Sequence, residues 1–141
     1  MWIRNIYGPT VHRVKEYFWL QLEMHRYGKM HLPCIIARDF NVTIFREEKK
    51  GGSKVRDTFK EILEDVIASW RFVDIKKTKG KYTWNNKHYG PGHIEARLDR
   101  ILVNSSFIDK PLLLTSIHLT SVVSDHKPIM FSMEPIGKLG P

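Results

Sequence analysis

Cysteine is almost absent from this sequence. Cys34 is the only one, so no internal disulfide can form, and a reducing intracellular compartment is the simplest reading. Long apolar runs are absent too, and none approaches the ~20 residues needed to span a bilayer. The N-terminal Met1-Trp2-Ile3-Arg4-Asn5 lacks the character of a signal peptide and reads like the middle of a strand, as if the chain begins inside a fold. There is no internal repeat, low-complexity tract or linker. No Walker loop or Rossmann fingerprint is found. His25, His31 and Cys34 show no zinc spacing and no fourth ligand.

Positive charge is what the chain has in surplus. Its 23 basic residues against 15 acidic ones leave a net charge of +8, a balance that suits polyanionic partners such as nucleic acid or simply a soluble basic surface. With 141 residues, of which 42% are hydrophobic, the chain suits one folded domain with a real core.

The pattern of elements is mixed. Trp2–Tyr7 is a strand closed by Gly8-Pro9. Thr10 offers a cap for a helix with Val11, Val14, Phe18 and Leu22 on its apolar face and Gly28 as its stop. Pro33–Ala37 is a short buried strand. A charged loop, Glu47–Gly52, precedes a second helix whose apolar positions are Val55, Phe59, Ile62, Leu63 and Val66. Strands follow at Arg71–Ile75, Tyr82–Trp84, Arg97–Val103, Leu112–His118 and Pro128–Met133. Residues 1–134 are taken as the domain and 135–141 as a fraying tail. Early alternation of strands and helices with strands clustered late predicts an α/β sheet with helices on one face.

Three segments place polar, chemistry-bearing residues at the ends of apolar strands: Arg38-Asp39-Phe40-Asn41, Leu98-Asp99-Arg100 and Ser124-Asp125-His126-Lys127-Pro128. A fourth is Asn5-Ile6-Tyr7-Gly8-Pro9. Strand ends are where a rigid sheet aims side chains into a shared cleft. Phosphodiester hydrolysis suits these types. A carboxylate positions water, a histidine moves a proton with its tautomer fixed by a second carboxylate, and oxygen ligands hold Mg2+ against the phosphate. Each piece also has a plain alternative: a turn at Asp39, a solvated loop at His126, a surface ion pair at Asp99-Arg100. Ser124-Asp125-His126 is contiguous, which suits a serine triad poorly.

Asp39 with Asn41, then Asp99, then Ser124-Asp125-His126, preceded by Asn5–Pro9, resembles the endonuclease/exonuclease/phosphatase family. That family includes apurinic endonucleases, deoxyribonuclease I and LINE-type retrotransposon endonucleases. Asp39–Thr43 with Glu47–Gly52, and Tyr82–Asn86 through Gly90–Arg100, look like the endonuclease domains of plant LINE (non-LTR) elements.

The resemblance implies one part of a two-sheet α/β sandwich with the N-terminal portion missing, and a Mg2+- or Mn2+-dependent DNA endonuclease activity impaired by that loss. A non-catalytic nucleic-acid-binding remnant is the alternative. By the same resemblance Asp39 orients the attacking water, and Asn41 and His126 contact the scissile phosphate. Asp99 holds the His126 tautomer, Asp125 helps ligate the metal, and Tyr7 lies near the phosphate. Arg38 stands where the family has Gly and threatens to crowd the turn. Glu16 and Glu23 match none of the family's N-terminal metal ligands, so the missing half or another chain becomes an expected partner. A retroelement origin implies a nuclear location.

DNA contacts are expected from Lys76, Lys77, Lys79, Lys81 and Arg100, with Trp84 either stacking on bases or packing in the core. Lys49, Lys50, Lys54 and Arg56 form a second basic patch.

Overall fold

The computed structural model describes residues 2–8, 12–26, 31–53, 59–76 and 80–137. Its centre is a four-stranded sheet of order β1 (Trp2–Tyr7), β2 (Cys34–Asp39), β7 (Asp99–Asn104) and β4 (Phe72–Asp74), in which β1 and β2 run parallel and the other pairs antiparallel. A second sheet pairs β8 (Leu112–His118) with β9 (Ile129–Pro135), antiparallel along their whole length. A third, small sheet joins β3 (Lys49–Lys50), β6 (Glu95–Ala96) and β5 (Trp84–Asn85). Helices α1 (His12–Arg26) and α2 (Lys60–Ser69) are long, and α3 (Ser105–Ile108) is a single turn.

Alternation along the central strands builds two cores, because successive side chains point to opposite faces. Cys34 and Ile36 of β2 and Leu102 of β7 face the helices, where Trp19, Leu22, Phe59, Leu63 and Trp70 bury against them. Trp19 stacks on Phe40 with ring centroids 5.9 Å apart. Ile35 of β2 and Ile101 and Val103 of β7 face the other way, under Leu112, Leu114, Ile129 and Phe131 of the β8–β9 sheet. The helices lie on one face of the central sheet, as the element pattern implied, and the second sheet on the other makes a mixed α/β sandwich, as the resemblance implied. Val14, expected on the buried face of α1, is 42% exposed, and Trp19 takes the core position instead. Thr10, Val11, Gly28, Lys54, Val55, Arg56, Lys77 and Lys79 lie outside the described residues.

The segment Glu47–Gly52 is more than a charged loop. Arg46–Glu48 form one 3-10 turn that leads into β3, and Glu48 is buried. Its carboxylate accepts the backbone N–H of Ile44 at 2.7 Å and meets two guanidiniums. Arg97 donates to Glu48 at 3.1 Å and to Asp74 at 2.7 and 2.8 Å. Arg100 donates to Glu48 at 3.0 Å, to Asp74 at 2.8 Å and to the Val42 carbonyl at 3.2 Å. Two acids and two arginines balance in charge, which is the condition for burying them at all. Burial by itself would raise the Glu48 carboxyl, but the Arg100 hydrogen bonds and charge, the Ile44 N–H and the Arg97 charge outweigh it and hold the group at about 2.

This knot corrects one expectation. Arg100 does not reach a nucleic-acid surface: it is 0% exposed. On β7 it shares the face of Leu102, pointing away from the face of Asp99 and Ile101.

Candidate active site

Asp39 ends β2 and Asp99 begins β7, and the antiparallel register sets them directly opposite one another. Both are buried, at 2% and 6% exposure. Like charges opposite each other on neighbouring strands repel, so this pair calls for a cation or a proton donor between them. His126 supplies it. Its Nδ1 lies 2.8 Å from Asp99 Oδ2, and its Nε2 lies 3.6 Å from Asp39 Oδ2. The first contact is a hydrogen bond. The second is too long for one, and both groups line a cavity, where a polar atom from outside can lie against them. This cavity, of about 650 Å³, holds all three groups and lies between the central sheet and β9, with Asn5 and Ser124 also on its wall.

The local backbone is built to hold this geometry. The strand pairing of β2 continues through Arg38, whose neighbours across the sheet are Ile6 and Arg100, so the turn comes later, at Asn41, with φ of 52°. The Asn41 N–H donates to Asp39 Oδ1 at 2.7 Å, and its side-chain amide donates to the Gly8 carbonyl. The Gly8 N–H in turn donates to the Asp39 carbonyl at 2.6 Å. A Cβ on Gly8 would stand 2.5 Å from the Phe40 carbonyl oxygen, so only glycine permits this approach.

A second clamp was not legible in the sequence. Thr83 is fully buried. Its hydroxyl accepts the N–H groups of Leu98 and Asp99 at 2.9 and 3.1 Å, while its carbonyl accepts the Lys127 N–H at 2.7 Å. An antiparallel bridge from Trp84 to His126 lies beside it. One small residue thus ties the start of β7 to the histidine loop. A Thr83→Val variant removes the acceptor from two buried N–H groups, and a loss of about 1–3 kcal/mol is expected in urea unfolding. The only signal was a small polar residue at an inward position between two aromatics.

No family model matches the chain, and no curated protein matches it. Among solved structures it is similar to the endonuclease domain of TRAS1, a telomere-specific non-LTR retrotransposon, with a TM-score of 0.64 and 16% identity over 84% of this chain. Its fold matches about half of that domain. It covers 51% of that chain's length, and the likeness is one of fold, while the chemistry rests on the residues described here.

Of the expected site residues, Asp39, Asp99 and His126 come together. Asn41 is turned to the Gly8 carbonyl and is not part of the cavity wall. Asp125 is not part of the cavity wall, and its exposed carboxylate accepts the Trp84 indole N–H at 3.1 Å. The register sets Tyr7 beside Asp39, but its side chain, like that of Arg38, lies outside the described residues.

Among the described residues no group of three or more His, Cys, Asp and Glu is placed to hold a metal ion. The donor set among the described residues does not by itself fit Mg2+ or Mn2+.

Lys76 and Lys81 are exposed, each with its ammonium over a ring, Phe45 at 5.3 Å and Tyr82 at 5.5 Å. Trp84 is half-buried. Beyond it, the loop from Asn86 to Ile94 is braced by the Asn86 side chain, which accepts the N–H groups of His88 and Ile94 and donates to the Gly92 carbonyl. That loop holds Tyr89 97% exposed. Among the described residues no helix is long and apolar enough to cross a membrane.

Proposed function

We propose that this chain carries the acid–base centre of a phosphodiesterase of the endonuclease/exonuclease/phosphatase type, acting on DNA. The observation that carries this reading is His126 seated between two opposed buried carboxylates on a cavity wall, bonded to Asp99 and 3.6 Å from Asp39. Asp99 fixes the tautomer and, when His126 is protonated, stabilises its charge. The Nε2 side then meets whatever enters the cavity. Protonated, it donates to a phosphate oxygen and offsets the charge that develops there. Asp39, held in place by the Asn41 N–H, accepts a proton from water or orients it for attack.

The basic balance of the chain and the exposed Lys76 and Lys81 support a polyanionic substrate. The finer likeness to plant LINE elements rests on sequence segments alone. A divalent ion, Mg2+ or Mn2+, is implied by the resemblance. Its ligands would come from beyond the described residues, from a further part of the domain or another chain.

The test is nicking of supercoiled plasmid by the purified protein with Mg2+, Mn2+ or EDTA, beside His126→Ala. Divalent-dependent nicking that drops by at least ~100-fold in His126→Ala is the expected result. Nicking that His126→Ala leaves intact would remove the proposed centre.

A second reading rests on the engagement of the exposed Asp125 carboxylate with the Trp84 indole: a nucleic-acid-binding module without cleavage. It predicts plasmid retention that weakens steeply with salt, with no nicking in any metal from protein shown to be folded.

A further inference from the structure

His126 comes from a stretch that belongs to no helix or strand. The chain runs from Leu119 to Pro128 between β8 and β9, and the tip of that loop has no apolar cover, because Val122 and Val123 are 93% and 97% exposed. Packing therefore holds none of the tip in place. Hydrogen bonds from β5 and its neighbour hold the loop instead. The Asn85 N–H donates to the Asp125 carbonyl at 3.1 Å, and the Lys127 N–H donates to the Thr83 carbonyl at 2.7 Å. These two bonds bracket His126, which forms a bridge with Trp84. β5 has only two residues, so the pairing ends almost where it begins. A third bond comes from a side chain: the Trp84 indole N–H donates to Asp125 Oδ2 at 3.1 Å. The indole has one polar hydrogen, and it goes to the residue next to His126.

We propose that Trp84 is a positioning residue for His126: its indole N–H, through the Asp125 carboxylate, ties the histidine loop to β5 so that the imidazole stays on Asp99. The role is distinct from base stacking and from core packing. The acceptor is a carboxylate, and such bonds are stronger than neutral ones. Asp125 also receives the Asn85 N–H on its carbonyl, so adjacent residues of β5 grip it at two points. The grip matters because His126 reaches Asp99 through one 2.8 Å bond, and a shift of about 1 Å at a reacting group can cost roughly 100-fold in rate. The effect on rate rests on the acid–base reading above, whereas the tether itself does not.

The test is amide hydrogen exchange, read by NMR on the full chain, for Trp84→Phe, Asp125→Ala, Asp125→Asn and the double variant Trp84→Phe/Asp125→Ala. Phenylalanine keeps an aromatic ring but has no donor. The expected result in Trp84→Phe is exchange about 10-fold faster at the Asn85 and Lys127 amides, with the Ile36 and Leu102 amides of the central sheet unchanged. Asp125→Ala should match it, and the double variant should add nothing further. Asp125→Asn keeps an oxygen acceptor and should stay close to the parent. The ring proton between His126 Nδ1 and Asp99 should broaden in the first two variants and stay sharp in Asp125→Asn. Unchanged Asn85 and Lys127 amides in Trp84→Phe overturn the proposal. So do additive effects in the double variant, or faster exchange throughout the central sheet, which would make Trp84 a plain core residue. Where the parent nicks plasmid, Trp84→Phe should lower the rate at saturating plasmid about 10-fold with plasmid retention unchanged. Weaker retention at an unchanged saturated rate would put the indole on the DNA and overturn the tether. Exchange is read without any cleavage, so a parent that nicks nothing counts against the acid–base reading while the amides still decide the tether.

Discussion

Glu48→Ala is expected to destabilise the protein by about 3–5 kcal/mol, a large share of the ~5–15 kcal/mol that holds a domain folded. The loss comes from what the carboxylate leaves behind. Arg97 and Arg100, almost wholly buried, would keep only Asp74 as a counter-charge. The Ile44 N–H, which Glu48 accepts at 2.7 Å, would lose its partner. Urea unfolding followed by circular dichroism at neutral pH measures the effect. A change under ~1 kcal/mol would mean that water reaches the knot, and the burial argument would fall.

The same group sets an acid limit. In the fold its carboxyl is held at about 2, below its ordinary 4.5. A depressed carboxyl contributes stability in full above its unfolded value and loses it as pH falls toward the folded one. The wild-type chain should therefore lose up to about 3 kcal/mol between pH 4.5 and pH 2 from this group alone. Glu48→Gln, which cannot titrate, should start lower and show a flatter profile over that window.

Asp99→Asn is expected to cost about a thousand-fold in nicking rate, if nicking is found, with little change in fold. The side chain keeps its shape, but an amide nitrogen toward His126 Nδ1 favours the opposite tautomer and removes the charge that stabilises the imidazolium. Asp125→Asn serves as the contrast. Its carboxylate is exposed and engaged with the Trp84 indole, so a loss under ~10-fold is expected. Equal losses in the two variants would show that Asp125 reaches the reacting groups during turnover, and that the division of labour drawn here is wrong.

Much of the framework was visible in the sequence where local physics decides it. β1 and β8 have the bounds that their apolar runs suggested, since a stretch rich in branched and aromatic residues has few other uses. Asp39, Asp99 and His126 stood out because each follows or begins such a run.

What escaped was set by partners distant in the chain. β3, β5 and β6 are two-residue pairings that exist only because they meet one another. Thr83 matters through two N–H groups about 15 residues away in sequence. Arg100 looked like a phosphate contact because it stands beside Asp99, although adjacent strand positions face opposite ways. Arg97 just ahead of β7 and Arg100 within that apolar run were a signal that acids must be nearby, and Glu48 and Asp74 were the candidates to look for. The left-handed backbone of Asn41 and its bond to Gly8, which make it the pin of the turn that holds Asp39, also depend on a segment far away in the chain.

The lone sulfhydryl of the chain has a use of its own. Cys34 sits at the start of β2, 2% exposed, with its backbone N–H held by the Asn104 side chain at 2.9 Å. Burial pushes its thiol up to about 12, against a smaller opposing pull from Arg4. At neutral pH almost none of it is the thiolate that alkylating reagents attack. Iodoacetamide should therefore leave the native chain untouched and label it only when β2 leaves the sheet. The labelling rate then becomes a clock for opening of the central strands, readable by mass and requiring no engineered probe.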